Sequence, residues 1–168
     1  MRKRIPLVIG ILGLAALLLV YPVRLFTLSR DGGILFYRLA KPGQRFQLSY
    51  LHSVALSDVG ETFQIDPEYR IVLVETRFQG QGTGLPSHPG EGEQIRRDGN
   101  WFYLTGMRRV VSSIPWRVQR EWRSRFRFQT EPEANLSESI GSGLILIEVN
   151  RVSLASYIAL LLNTADRI

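Results

Sequence analysis

The residues whose types and spacing could do chemistry are His52, Ser53 and Glu61, all within Phe46 to Ile65, FQLSYLHSVALSDVGETFQI. A buried carboxylate is costly unless paired, and an imidazole is a partner whose charge can be adjusted near neutral pH. Strand alternation puts Phe46, Leu48, Tyr50, His52 and Val54 on one face, and Val59, Glu61, Phe63 and Ile65 on one face of the next run. His52 and Glu61 are therefore expected to point inward from consecutive strands and to meet across a hairpin. Two readings of such a pair stay open. It is a proton-transfer or ligand-binding dyad with Ser49 or Ser53 supplying a hydroxyl, or a buried hydrogen bond that fixes the hairpin's register.

Other constellations are weaker. A triad of Ser53, His52 and Asp58 or Glu61 needs neighbouring strand residues to share a face, and no G-x-S-x-G elbow presents the serine. A metal site from His52, Asp58, Glu61 and His88 lacks any paired-histidine spacing. The segment GQGTGLPSHPGEG, with Gly82, Gly84 and Pro86, has no P-loop lysine and reads as a loop needing positive φ. Between Arg108 and Arg127 seven arginines surround Trp116 and Trp122, a face suited to solvent, anionic headgroups or a protein partner. We assign no catalytic residue, metal or cofactor.

The elements that must hold these residues follow from composition. With no cysteine, the 168-residue chain has no disulfide and no thiolate site, and its size fits one domain plus an anchor. The net charge is +6, and Arg2, Lys3 and Arg4 supply half of it, so nucleic acid is not an expected partner. Residues 1–4 form a basic n-region and 5–23, IPLVIGILGLAALLLVYPV, an uncharged run long enough for a transmembrane signal anchor. No A-x-A cleavage site follows it, which favours an uncleaved anchor over a removed signal peptide. The positive-inside rule places the N-terminus in the cytoplasm and the rest on the extracytoplasmic side of the cytoplasmic membrane.

Residues 24–33 are expected to be a linker and 34–168 a β-rich domain. Strand-like runs are Ile34 to Ala40, Phe46 to Val54, Val59 to Ile65 and Tyr69 to Phe78. Trp101 to Leu104, Val110 to Ile114, Trp122 to Thr130 and Leu144 to Val149 follow. Their number and shortness predict a mainly β fold, a small sandwich or open barrel. The tail from Ser153, SLASYIALLLN, predicts a short C-terminal helix, docked or interfacial.

FQLSYLHSV, the acid of ETFQI, IVLVETRFQGQGTGLP and DGNWFYL together resemble the small proteins grouped as domain of unknown function 1850. The likeness runs from Ile34 to Val149 and puts His52, Ser53, Glu61, Gly82, Gly84 and Pro86 on recurring motif positions; Thr83 departs mildly from a small residue. The resemblance implies a domain without assigned activity, frequently encoded beside TRAP transporters that use a TAXI solute-binding protein. It leads us to expect a non-enzymatic accessory partner of such a permease or binding protein. The alternative is a hydrolase, or a metal- or ligand-binding module, using His52 and Glu61.

Overall fold

The computed structural model describes residues 5–80 and 88–163. Arg2, Lys3 and Arg4, and the motif positions Gly82, Gly84 and Pro86, lie outside them. The first element is helix α1 (Ile5–Val20). Strands β1 (Pro22–Arg30), β2 (Gly33–Leu39), β3 (Arg45–Leu51), β4 (Asp58–Ile65), β5 (Ile71–Gln79) and β6 (Gln94–Asp98) follow. Then come β7 (Trp101–Val111), β8 (Ile114–Val118), β9 (Arg125–Phe128), β10 (Ala134–Asn135), α2 (Leu136–Ser139), β11 (Gly143–Ser153) and α3 (Leu154–Asn163).

The strands form two antiparallel sheets, a small one in the order β2-β1-β11-β8 and a large one in the order β10-β9-β3-β4-β5-β7-β6. Neither closes on itself, so the mainly β expectation resolves to two facing sheets rather than a barrel. Alternation builds the core between them. Phe26 of β1 and Phe36 of β2 meet Phe46 of β3 and Phe126 and Phe128 of β9, with ring centroids 4.8 Å (Phe26–Phe46) and 4.9 Å (Phe26–Phe128) apart. A second, smaller cluster of Val59, Phe78, Leu104 and Met107 lies farther across the large sheet. Arg38 of β2 clamps the Glu131 carboxylate with two bonds of 2.9 and 2.8 Å, joining the small sheet to the chain that leaves β9.

Residues 24–33 are not a linker. Pro22 to Arg30 is an interior strand of the small sheet, paired with β11 and β2, and Leu25 to Leu28 are buried on both faces. One face meets the core; the other lies toward α3, whose Tyr157 ring meets Tyr37 edge-on at 6.4 Å. The apolar run is divided accordingly. The helix stops at Val20 because Pro22, which cannot continue helical hydrogen bonding, opens a strand instead. Sixteen residues rise about 24 Å, and no helix among the described residues is long and apolar enough to cross a membrane.

The two short strands expected around Gly106 are one long strand, β7, kinked at that glycine. Gly106 has φ +76°, and a Cβ there would lie 2.5 Å from the Gly92 carbonyl oxygen, so close approach and positive φ both require glycine. The pairing of β5 with β4 and β7 slips at the same level, around Val74. These bulges bend the large sheet.

Candidate functional site

The register of the β3–β4 hairpin decides what the motif residues can do. Tyr50 pairs with Val59, Leu48 with Glu61 and Phe46 with Phe63. β3 ends at Leu51, and His52 belongs to the turn, its N–H donating to the Ser57 carbonyl (2.9 Å) and its carbonyl accepting from the Leu56 N–H (2.9 Å). The expected contact between His52 and Glu61 is absent: no hydrogen bond joins them among the described residues.

The imidazole is used locally. His52 Nδ1 accepts the N–H groups of Ala55 (3.1 Å) and Val54 (3.3 Å). It acts as an aspartate or asparagine does when it caps a turn. The turn so held presents Val54 and Leu56 to solvent, Leu56 at φ +48°, and Ser53 is exposed beside them. Ser53 has no hydrogen bond to His52, so no nucleophile–base pair forms there.

Glu61 does point inward, as alternation predicts. It stands between Leu48 of β3 and Thr76 of β5, half-buried, with Tyr50 diagonally across the hairpin. Burial raises the Glu61 carboxyl above the ordinary carboxylate range. Burial, and then the neighbouring Glu61 charge, raise the Tyr50 hydroxyl as well. The pair is thus held toward its protonated forms, which suits accepting or donating hydrogen bonds to a neutral group more than holding a cation. No group of three or more His, Cys, Asp or Glu side chains placed to hold a metal occurs among the described residues.

The motif hairpin lies at a definite end of the domain. Ala40 N–H donates to the Arg24 carbonyl (2.9 Å), and the Arg24 guanidinium stands 5.4 Å from the Tyr69 ring centroid. The end of the large sheet carrying Arg45, Ile65 and Tyr69 is therefore the end nearest the α1–β1 junction. The hairpin turn is one seven-residue strand away, about 23 Å.

At that far end three segments converge: the hairpin turn, the exit of β5 at Gln79 and Gly80, and the β6–β7 turn. They enclose a cleft of about 380 Å³ lined by Ala55, Ser57, Gln79, Arg97, Asn100 and Phe102 among others. Arg97 Nε donates to the Gly99 carbonyl (3.0 Å) and its guanidinium lies 5.5 Å from the Phe102 ring centroid. Ser57 Oγ is buried and has no hydrogen-bond partner among the described residues. Sequence reading singled out none of these four polar residues, although Asp98-Gly99-Asn100 is a turn signal that marks where Arg97 and Asn100 must sit. A larger groove of about 610 Å³ crosses the outer face of the large sheet at the bulges, between Arg45 and Arg108, over Gln47, Gln64, Thr105 and the carboxylate Glu75.

On the same outer face Gly60 lets Arg77 lie flat. A Cβ at Gly60 would come within 2.6 Å of Arg77 Nε, and the guanidinium reaches to 5.4 Å from the Trp101 ring centroid. The arginines expected to form one cationic surface are partly neutralised. Arg109 pairs with Glu93 (3.0 Å), and Arg127 and Arg125 pair with Glu133 at 3.4 and 3.7 Å.

Comparison of the chain with curated proteins and with solved structures returns no match in either. A family model does match: domain of unknown function DUF1850, over residues 46–133. That span begins at the first core residue of β3 and holds the hairpin, Glu61, the glycine loop, the far-end cleft and Glu133. It covers more than half of the chain, which therefore belongs to the DUF1850 family.

Proposed function

We propose that this is a non-enzymatic protein anchored in the cytoplasmic membrane by its N-terminal helix, with the β domain on the extracytoplasmic side, serving as an accessory partner of a TAXI-type TRAP transporter. The observation that carries the reading is the pairing of two uncharged helices at one end of the domain. Leu154 N–H donates to the Tyr21 carbonyl (2.8 Å), so α3 starts where α1 ends, and the two pack together. α1 exposes Ile9, Leu12, Leu14 and Leu19, and α3 exposes Ile158, Leu161 and Leu162. An apolar surface of that extent is stable only against lipid or protein. A span shorter than the hydrocarbon core is accommodated by local thinning of the bilayer. The basic Arg2, Lys3 and Arg4 favour a cytoplasmic N-terminus. The motif hairpin at the other end is then the part free to meet a permease or its solute-binding protein.

The test is purification from detergent extracts at native expression. The permease or the TAXI-type binding protein is expected to co-purify with the chain, in the membrane fraction. Reproducible recovery of the chain alone would overturn the partnership.

A ligand-binding reading of Glu61 has one observation in its favour, the raised carboxyl beside Tyr50. In that reading His52 supports the turn rather than the chemistry.

A further inference from the structure

We propose that the far-end cleft is a binding site for a small organic monocarboxylate. The lining states the ligand's chemistry. Arg97 brings one positive charge, held in place by its bond to the Gly99 carbonyl and by the Phe102 ring beneath it. Gln79 and Asn100 add neutral amides, and Ser57, its hydroxyl oxygen buried, forms part of the wall. Among the described residues no Asp or Glu lines the cleft, so an anion meets donors there and no repelling charge. Arg97 in particular offers two NH₂ groups in the fork that fits a carboxylate.

The remaining walls set the rest of the molecule. Phe102 and the Ala55 methyl are apolar, and about 380 Å³ is at the small end of ligand-sized cavities. One cation matches one negative charge, and an apolar wall matches a short carbon chain. An inorganic dianion would leave Phe102 unused and one charge unmatched.

The proposal does not rest on a transporter partner, and its test contains none, so either can fail alone. The full chain in detergent, labelled with ¹⁵N, is titrated with sodium butyrate, inorganic phosphate and 1-butanol. Butyrate is expected to shift the amide signals of Ser57 and Asn100 saturably, with a Kd in the millimolar range or tighter. Phosphate is expected to bind at least about tenfold more weakly and the alcohol not measurably. Arg97→Gln should weaken butyrate at least about tenfold. Absence of a saturable butyrate shift, equal affinity for phosphate, or unchanged butyrate affinity in Arg97→Gln would each overturn the assignment.

Discussion

Glu61 stands opposite Leu48, not His52, on the inner face of the large sheet. Its carboxyl has an apolar neighbour where a histidine was expected, and burial without a cationic partner raises its pKa. The folded state then holds this proton more tightly than the unfolded chain does. Its contribution to stability is fully present below the unfolded carboxylate pKa and is lost as pH rises through the higher folded value.

Glu61→Gln removes that dependence. The variant is expected to be about 1 kcal/mol more stable at pH 7, a Tm rise of a few degrees, with a flatter stability curve above the ordinary carboxylate range. Thermal melts of both proteins across acid to neutral pH check it. A variant that melts lower at pH 7 would mean that the carboxylate is paired in solution.

His52→Ala leaves the Val54 and Ala55 N–H groups without their acceptor. A loss of about 1 kcal/mol is expected, and His52→Asn should recover most of it, since an asparagine oxygen can accept from the same turn. Chemical denaturation of the three proteins measures this. Equal midpoints for His52→Ala and the parent would show that the imidazole does not hold the turn.

Gly106→Ala meets both positive φ and the Gly92 carbonyl, so a loss of about 3 kcal/mol is expected. Gly32, also at positive φ but with open space around it, should lose only about 1 kcal/mol on the same change. Matched denaturation curves test the contrast, which disappears if the β7 kink can relax.

Ser137 and Ser124 make a second contrast. Ser137 Oγ accepts from the Ser124 N–H (2.7 Å) and donates to the Gln119 carbonyl (2.7 Å), whereas Ser124 Oγ is buried and has no partner among the described residues. Ser137→Ala is expected to lose about 2 kcal/mol and Ser124→Ala to be close to neutral. Similar losses in both would reveal a bond to the Ser124 hydroxyl.

Strands β3, β4 and β5 were legible because alternation of apolar and polar residues is a local signal, and the inward aim of Glu61 was legible for the same reason. The partner of Glu61 was not. Register is set by where the turn closes, and a histidine that ends β3 early by capping its own turn shifts every pairing that loop length alone would suggest. β1 was missed because Leu25 to Leu28 are buried on both faces and carry no alternation. It also follows directly on an apolar run that suggested a tether. The far-end cleft joins residues from three separate segments, Ser57, Gln79 and Arg97 with Asn100, and no local pattern predicts that convergence.

Only Tyr21 separates the last residue of α1 from the first residue of β1, and its carbonyl is already bonded to Leu154. The domain is mounted on its helix as on a short mast, without slack. Any tilt or turn imposed on α1 is delivered to the interior strand of the small sheet and across the packed phenylalanines to the hairpin. The position and heading of that hairpin are therefore tied to those of the helix.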